Sequence, residues 1–159
     1  MSRIFRHASL SVPVRMGATA LAVALTMVVT SPAPDGAAAP PPKQFLANLN
    51  SGQETPPNDS NGFGVAHFTF DEATKMLCVS ASYRDLTSAE VGAHIHGPAL
   101  PGQAADILFP LDSGSPKSQC VGPLTNTQKA ALLRNRLYIN IHTANNTGGE
   151  IRGQILRIK

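Results

Sequence analysis

Three histidines in this sequence have a spacing that suits metal chemistry. His94 and His96 stand two apart in Ala93-His94-Ile95-His96-Gly97-Pro98, and His142 lies near the end of Tyr138-Ile139-Asn140-Ile141-His142-Thr143. In an extended strand alternate side chains share a face, so His94 and His96 point one way and Ile95 the other. The same alternation sends Leu137, Ile139 and Ile141 to one side and Tyr138, Asn140 and His142 to the opposite one. If the two strands are neighbours, three imidazoles meet, and imidazole is the commonest metal ligand in proteins. Residues two apart on a strand have Cα atoms roughly 6.5–7 Å apart. From there two rings converge on one ion through bonds of roughly 2 Å. A ring from the next strand closes a three-nitrogen site. Copper is the expected ion, because it generally wins on affinity among divalent metals, and zinc is the alternative. Asn140, on the face of His142, is placed to orient a ring by hydrogen bonding from behind. A ligating imidazole must be neutral, so uptake is expected to weaken below about pH 6. The competing reading makes His94 and His96 buried structural residues bonded to backbone. His67 lies opposite Phe68 and Phe70 on its own strand and is expected to face solvent.

These residues need strands to position them, and the chain is rich in strand patterns. Residues 45–49, 62–70, 76–83, 88–96, 107–111, 137–142 and 150–158 read as strands, separated by short Gly, Pro, Asn and Asp turns. On the second, Ala66, Phe68 and Phe70 form the expected core face. Residues 112–117 read as a polar loop. Only 126–136 reads as helix, capped by Asn126 or Thr127. The fold class that follows is all-β: an antiparallel Greek-key sandwich or barrel, superoxide dismutase-like or immunoglobulin-like, with one short helix.

Around this domain the chain carries export features. Residues 1–38 have the layout of a signal peptide, with Arg3, Arg6 and Arg15 ahead of the apolar run Met16–Thr30 and small residues Ala37 to Ala39 at the cut. Residues 39–43 read as a disordered leader and 44–159 as the domain. The apolar run is short of the roughly 20 residues a spanning helix needs, and no membrane association is expected after cleavage. Without the signal peptide the net charge falls from +3 to about +1. With no basic run and no aromatic platform, nucleic acid is not an expected partner. A secreted or periplasmic location follows, and there the even pair Cys78 and Cys120 is expected to form a disulfide. On the chain-entropy model that cross-link contributes roughly 4 kcal/mol at most.

Four ordered blocks resemble the signature of the CHRD (chordin-type) domain family. They are Ser51-Gly52-Gln53-Glu54-Thr55-Pro56-Pro57, Ala93-His94-Ile95-His96-Gly97-Pro98-Ala99, Leu137-Tyr138-Ile139-Asn140-Ile141-His142-Thr143 and Gly148-Gly149-Glu150-Ile151-Arg152-Gly153-Gln154-Ile155. The resemblance covers roughly residues 44 to 158. It implies an exported β-rich domain, found alone in bacteria and repeated in the animal protein chordin. A more distant resemblance is to copper–zinc superoxide dismutases, in which His94, His96 and His142 would match three copper ligands and Arg152 the anion-guiding arginine. No histidine-rich loop follows Gly97, so a bridging histidine and a zinc site are missing from that match.

Three functions are therefore in view. The first is an exported copper-binding protein using His94, His96 and His142, with Asn140 and Arg152 behind them. The second is a metal-free extracellular module that binds a protein partner. The third is a copper-dependent, superoxide dismutase-like oxidoreductase. Elsewhere, Glu150 and Arg152 are expected to form a structural ion pair, Gly148-Gly149 a tight turn, and Glu54 a loop carboxylate without assigned chemistry.

Overall fold

The computed structural model describes residues 40–158, so the signal-peptide reading lies outside the described residues. Among the described residues nine strands alternate with loops in the order β1 (Lys43–Asn50), β2 (Phe63–Phe70), β3 (Leu77–Arg84), β4 (Glu90–His96), β5 (Ile107–Leu111), β6 (Lys117–Val121), β7 (Tyr138–Thr143), β8 (Ile151–Gln154) and β9 (Leu156–Arg157). A single helix, α1 (Asn126–Leu133), joins β6 to β7, and a 3-10 turn, Ser51–Gln53, follows β1. Lys43, assigned above to the leader, opens β1 and pairs with Phe70.

The strands run β5-β4-β7-β8-β1-β2-β3-β6 around a nearly closed antiparallel barrel, with β9 pairing the outer part of β1. Strict alternation fills its interior. Phe45, Ala47 and Leu49 of β1, Ala66, Phe68 and Phe70 of β2, and Ile139 and Ile141 of β7 are all at most 2% exposed. Helix α1 lids the core with Ala131 and Leu132.

The seam between β5 and β6 is closed by side chains. Lys117 Nζ meets Glu90 Oε1 at 2.8 Å and donates to the Asp112 carbonyl at 2.8 Å, and the Asp112 N–H donates to Gln119 Oε1 at 2.5 Å. Burial opposes ionisation of Glu90, yet the Lys117 ammonium, the Tyr83 hydroxyl and the Gly114 N–H together hold its pKa below the usual value.

Three local expectations are corrected. Strand β6 opens at Lys117, the last residue of the expected polar loop, because its inward positions are a paired lysine and Val121 rather than a run of aliphatics. The expected strand 150–158 breaks at Ile155, whose side chain enters the core while β8 stays with β7 and β9 turns to β1. Helix α1 is shorter than expected, and its cap is Thr125. The Thr125 side chain accepts from the Gln128 N–H, and Gln128 answers through its own side chain. Register places Cys78 directly opposite Cys120 across β3 and β6, and a disulfide joins them.

Candidate metal centre

Strands β4, β7 and β8 lie side by side, and their register decides what meets on the outer face of the barrel. Gly92 pairs with His142, His94 with Asn140, and His96 with Tyr138. Across the next boundary Asn140 pairs with Arg152 and Tyr138 with Gln154. One face thus carries His94, His96, His142, Asn140, Tyr138, Arg152 and Gln154, while Ala93, Ile95, Ile139, Ile141 and Ile151 fill the core behind them. Gly97 follows β4 directly; its φ is +153°, and a Cβ there would sit 2.4 Å from Leu137 Cδ2 and 2.8 Å from the Arg136 carbonyl oxygen. Only glycine lets the chain turn away there without displacing the segment that leads into β7.

Much of this outer face is covered. Loop residues after β1 and after β4 fold over it: Arg152 donates to Thr55 Oγ1 at 3.2 Å and to the Leu100 carbonyl at 3.4 Å, and Gln154 Nε2 donates to the carbonyls of Ala99 and Asn135 at 3.0 and 2.8 Å. As a result His96, Tyr138, Asn140, Arg152 and Gln154 are all buried, while His94 and His142 stay partly exposed. The Tyr138 ring stacks on His96 at 4.8 Å with planes 5° apart, and the Arg152 guanidinium lies 3.5 Å from the Tyr138 ring centre.

Within this setting His94, His96 and His142 each offer a ring nitrogen, and these atoms lie within 4.8 Å of one another. His96 Nδ1 lies 2.9 Å from the Ala105 carbonyl and His142 Nδ1 lies 2.9 Å from the Thr147 carbonyl. A carbonyl only accepts, so both rings carry their proton on Nδ1 and leave Nε2 as a lone pair. His94 Nδ1 lies 3.0 Å from His142 Nε2 and supplies the proton between them. His96 Nε2 is buried with no hydrogen-bond partner among the described residues. A metal ion suits that orphaned nitrogen. Tetrahedral ligation needs nitrogens about 3.3 Å apart, so the rings have to close by on the order of 1 Å.

Electrostatics favour the neutral, ligating form of two of the rings, His94 and His96. Burial pulls the pKa of His94 below the ordinary histidine value, and the neighbouring His142 and His96 add to it. Burial does the same to His96, with His142 and Arg152 nearby, against the bond to Ala105 that favours the charged ring.

The remaining candidates fall elsewhere. His67 is exposed on β2, outside the cluster. Arg152 and Glu150 do not form the expected ion pair, because Glu150 precedes β8 and turns its carboxylate to the loops. It accepts from Ser60 Oγ at 2.6 Å, the Thr87 N–H at 2.7 Å, Thr87 Oγ1 at 2.9 Å, Thr143 Oγ1, and Asn146 Nδ2 at 3.3 Å. Neither the two carbonyls that hold the rings nor the burial of Glu54 follows from the sequence pattern. Glu54 is only 6% exposed, and desolvation raises its pKa to about 7 despite Arg152, the Thr55 backbone and Asn140. One signal was present in Gly149, where φ is +132° and a Cβ would fall 2.5–2.8 Å from the Glu54 carboxyl atoms.

The sequence matches the family model described as CHRD domain over residues 45–155. No curated protein and no solved structure gives a significant match.

Proposed function

The chain belongs to the CHRD domain family, and from that footing we propose that it is an exported domain that binds one copper ion through His94, His96 and His142. The observation that carries this reading is a cluster of three histidines whose offered ring nitrogens lie within 4.8 Å of one another, with His96 Nε2 buried and unpartnered among the described residues. Backbone carbonyls behind His96 and His142 supply the outer hydrogen bonds that metal-ligating imidazoles almost always make. The disulfide and the family favour a secreted or periplasmic setting. Three neutral nitrogens suit copper first and zinc second. The decisive experiment is elemental analysis of the natively exported protein, purified without chelator or polyhistidine tag, before and after copper addition. About one copper per chain is expected, lost in His94→Ala and in His142→Ala with the fold retained. Undiminished uptake in both variants would sink the reading.

A second reading, a metal-free module that binds an extracellular protein, draws on the 3.0 Å contact between His94 and His142, which satisfies those rings without an ion. It leaves His96 Nε2 orphaned, so the metal reading stands ahead of it. A monodisperse preparation that takes up no metal would reverse that order. The dismutase-like reading requires copper with an open position. Activity no greater than that of free copper at matched concentration would reject it.

A further inference from the structure

A cavity of about 270 Å³ is lined by the loop after β1, the loop after β4 and strand β8. Glu54, Thr55 and Pro57 come from the first loop, Pro101 from the second, and Arg152 and Gln154 from β8. Its size is just below the roughly 300–1,000 Å³ of drug-sized sites, which suits a metabolite of a few heavy atoms. No histidine lines it, so it is separate from the three-histidine centre.

Three of the lining groups are buried with bonding capacity to spare. Arg152 is 2% exposed, and among the described residues no ion pair holds it. Its guanidinium donates to two neutral acceptors, the Thr55 hydroxyl at 3.2 Å and the Leu100 carbonyl at 3.4 Å, and has further N–H groups to give. Gln154 Nε2 donates to the carbonyls of Ala99 and Asn135. A carbonyl only accepts, so those two bonds fix which end of the amide is nitrogen, and Oε1 is the end left without a partner. Glu54 Oε1 is likewise buried and unpartnered, and no ion pair holds that carboxyl group among the described residues. Its place is reserved by Gly149, where a Cβ would fall 2.5–2.8 Å from the carboxyl atoms.

One cavity thus holds an unpaired buried cation, a carboxyl group without donors and an amide oxygen without a donor. Buried charges are costly unless paired, and unpartnered acceptors call for N–H or O–H groups. An anion would satisfy Arg152 and be repelled by Glu54, and an amine would do the reverse. A neutral polyol would meet the acceptors and leave both charges unpaired. We infer that this cavity binds a small zwitterion, an α-amino acid, with its carboxylate on the Arg152 guanidinium and its ammonium on Glu54 and Gln154 Oε1. Both contacts are charge-assisted, and the planar guanidinium suits a carboxylate. Pro57 and Pro101 give a short aliphatic side chain an apolar surface. The inference goes beyond the metal reading and does not depend on it.

The test is titration calorimetry on the full chain, exported natively and stripped of metal so that chelation by the amino acid adds nothing. It is run at pH 8, above the Glu54 pKa of about 7. The probes are L-alanine, its two halves acetate and methylammonium, and the neutral polyol glucose. L-Alanine is expected to bind with a Kd of about 1 mM or tighter, and at least about tenfold more tightly than either half. Glu54→Gln is expected to lose about tenfold or more in L-alanine affinity. Pro101→Trp, a change at an exposed lining position, is expected to lose as much by filling the cavity, with the circular dichroism spectrum of both variants unchanged. Acetate binding as tightly as L-alanine would reduce the cavity to an anion site, and glucose binding ahead of it would make it a polyol site; either result overturns the inference. So would no heat of binding with L-alanine, or an affinity unchanged in Glu54→Gln.

Discussion

Glu150 and Glu54 are both buried glutamates in loops at the edge of the same sheet, and they have opposite characters. Glu150 is fully buried, yet its five donors outweigh burial and hold its pKa at about 2. Glu54 is 6% exposed, and burial wins there, raising its pKa to about 7. The carboxylate that knots Ser60, Thr87, Thr143 and Asn146 together serves the fold. The one left short of donors, against Gly149, is kept at a cost to the fold. Burial alone does not distinguish a structural from a functional carboxylate, whereas the count of hydrogen-bond donors does.

The comparison can be broken most sharply at Glu150. Glu150→Ala strands the Thr87 N–H and several hydroxyls, and should destabilise the domain by about 3 kcal/mol or more. That corresponds to a melting temperature lower by about 15 °C. A loss below about 1 kcal/mol in a thermal melt would mean that water replaces the carboxylate and that the hub is not one.

Glu54→Gln should do the reverse in the metal-free protein. Removing a charge that burial disfavours is expected to stabilise it at pH 8 by about 1–2 kcal/mol. A clear destabilisation there would show that Glu54 serves the fold after all.

The pH dependence sharpens the contrast, because the two groups act with opposite sign. The Glu150 pKa lies below the unfolded value of 4.5, so its stabilisation is present above about pH 4.5 and is lost as pH falls toward 2. The Glu54 pKa lies above 4.5, so its penalty is absent below about pH 4.5, grows as pH rises through about 7 and is full above that. Melting temperatures of Glu150→Gln and wild type should therefore converge in acid. Those of Glu54→Gln and wild type should diverge between pH 4.5 and 8. Parallel curves in either case would contradict the assignment.

The smallest expected effect belongs to His67→Ala on the exposed face of β2. It should change stability by less than about 0.5 kcal/mol and leave copper uptake unaltered. Any loss of uptake would enlarge the site beyond the three histidines.

Much of this was legible in the residues. Alternation in Ala93–His96 and Leu137–His142 put the histidines on one face and the aliphatics on the other, because side chains in a strand alternate whatever the partner. Strand β6 was not legible, since Lys117 is an inward residue only by virtue of Glu90 on β4. The Glu150–Arg152 pair failed because same-face spacing holds only within a regular strand, and Glu150 stands just outside one. The burial of Glu54, Asn140 and Arg152 was not legible, because it comes from the loops after β1 and β4 closing over the sheet.

The sequence by itself determined the β class, the facing of His94, His96 and His142 and the even pair of cysteines, because these depend on local periodicity and composition. Only the tertiary structure decided that β4 lies beside β7 in a register that brings the rings within reach. It also decided that carbonyls at Ala105 and Thr147 fix their tautomers, and that the outer face is buried around Glu54 and Asn140. Strand adjacency and loop cover join residues far apart in the chain, and no local pattern records which distant segment a strand will pair with or which loop will cover it.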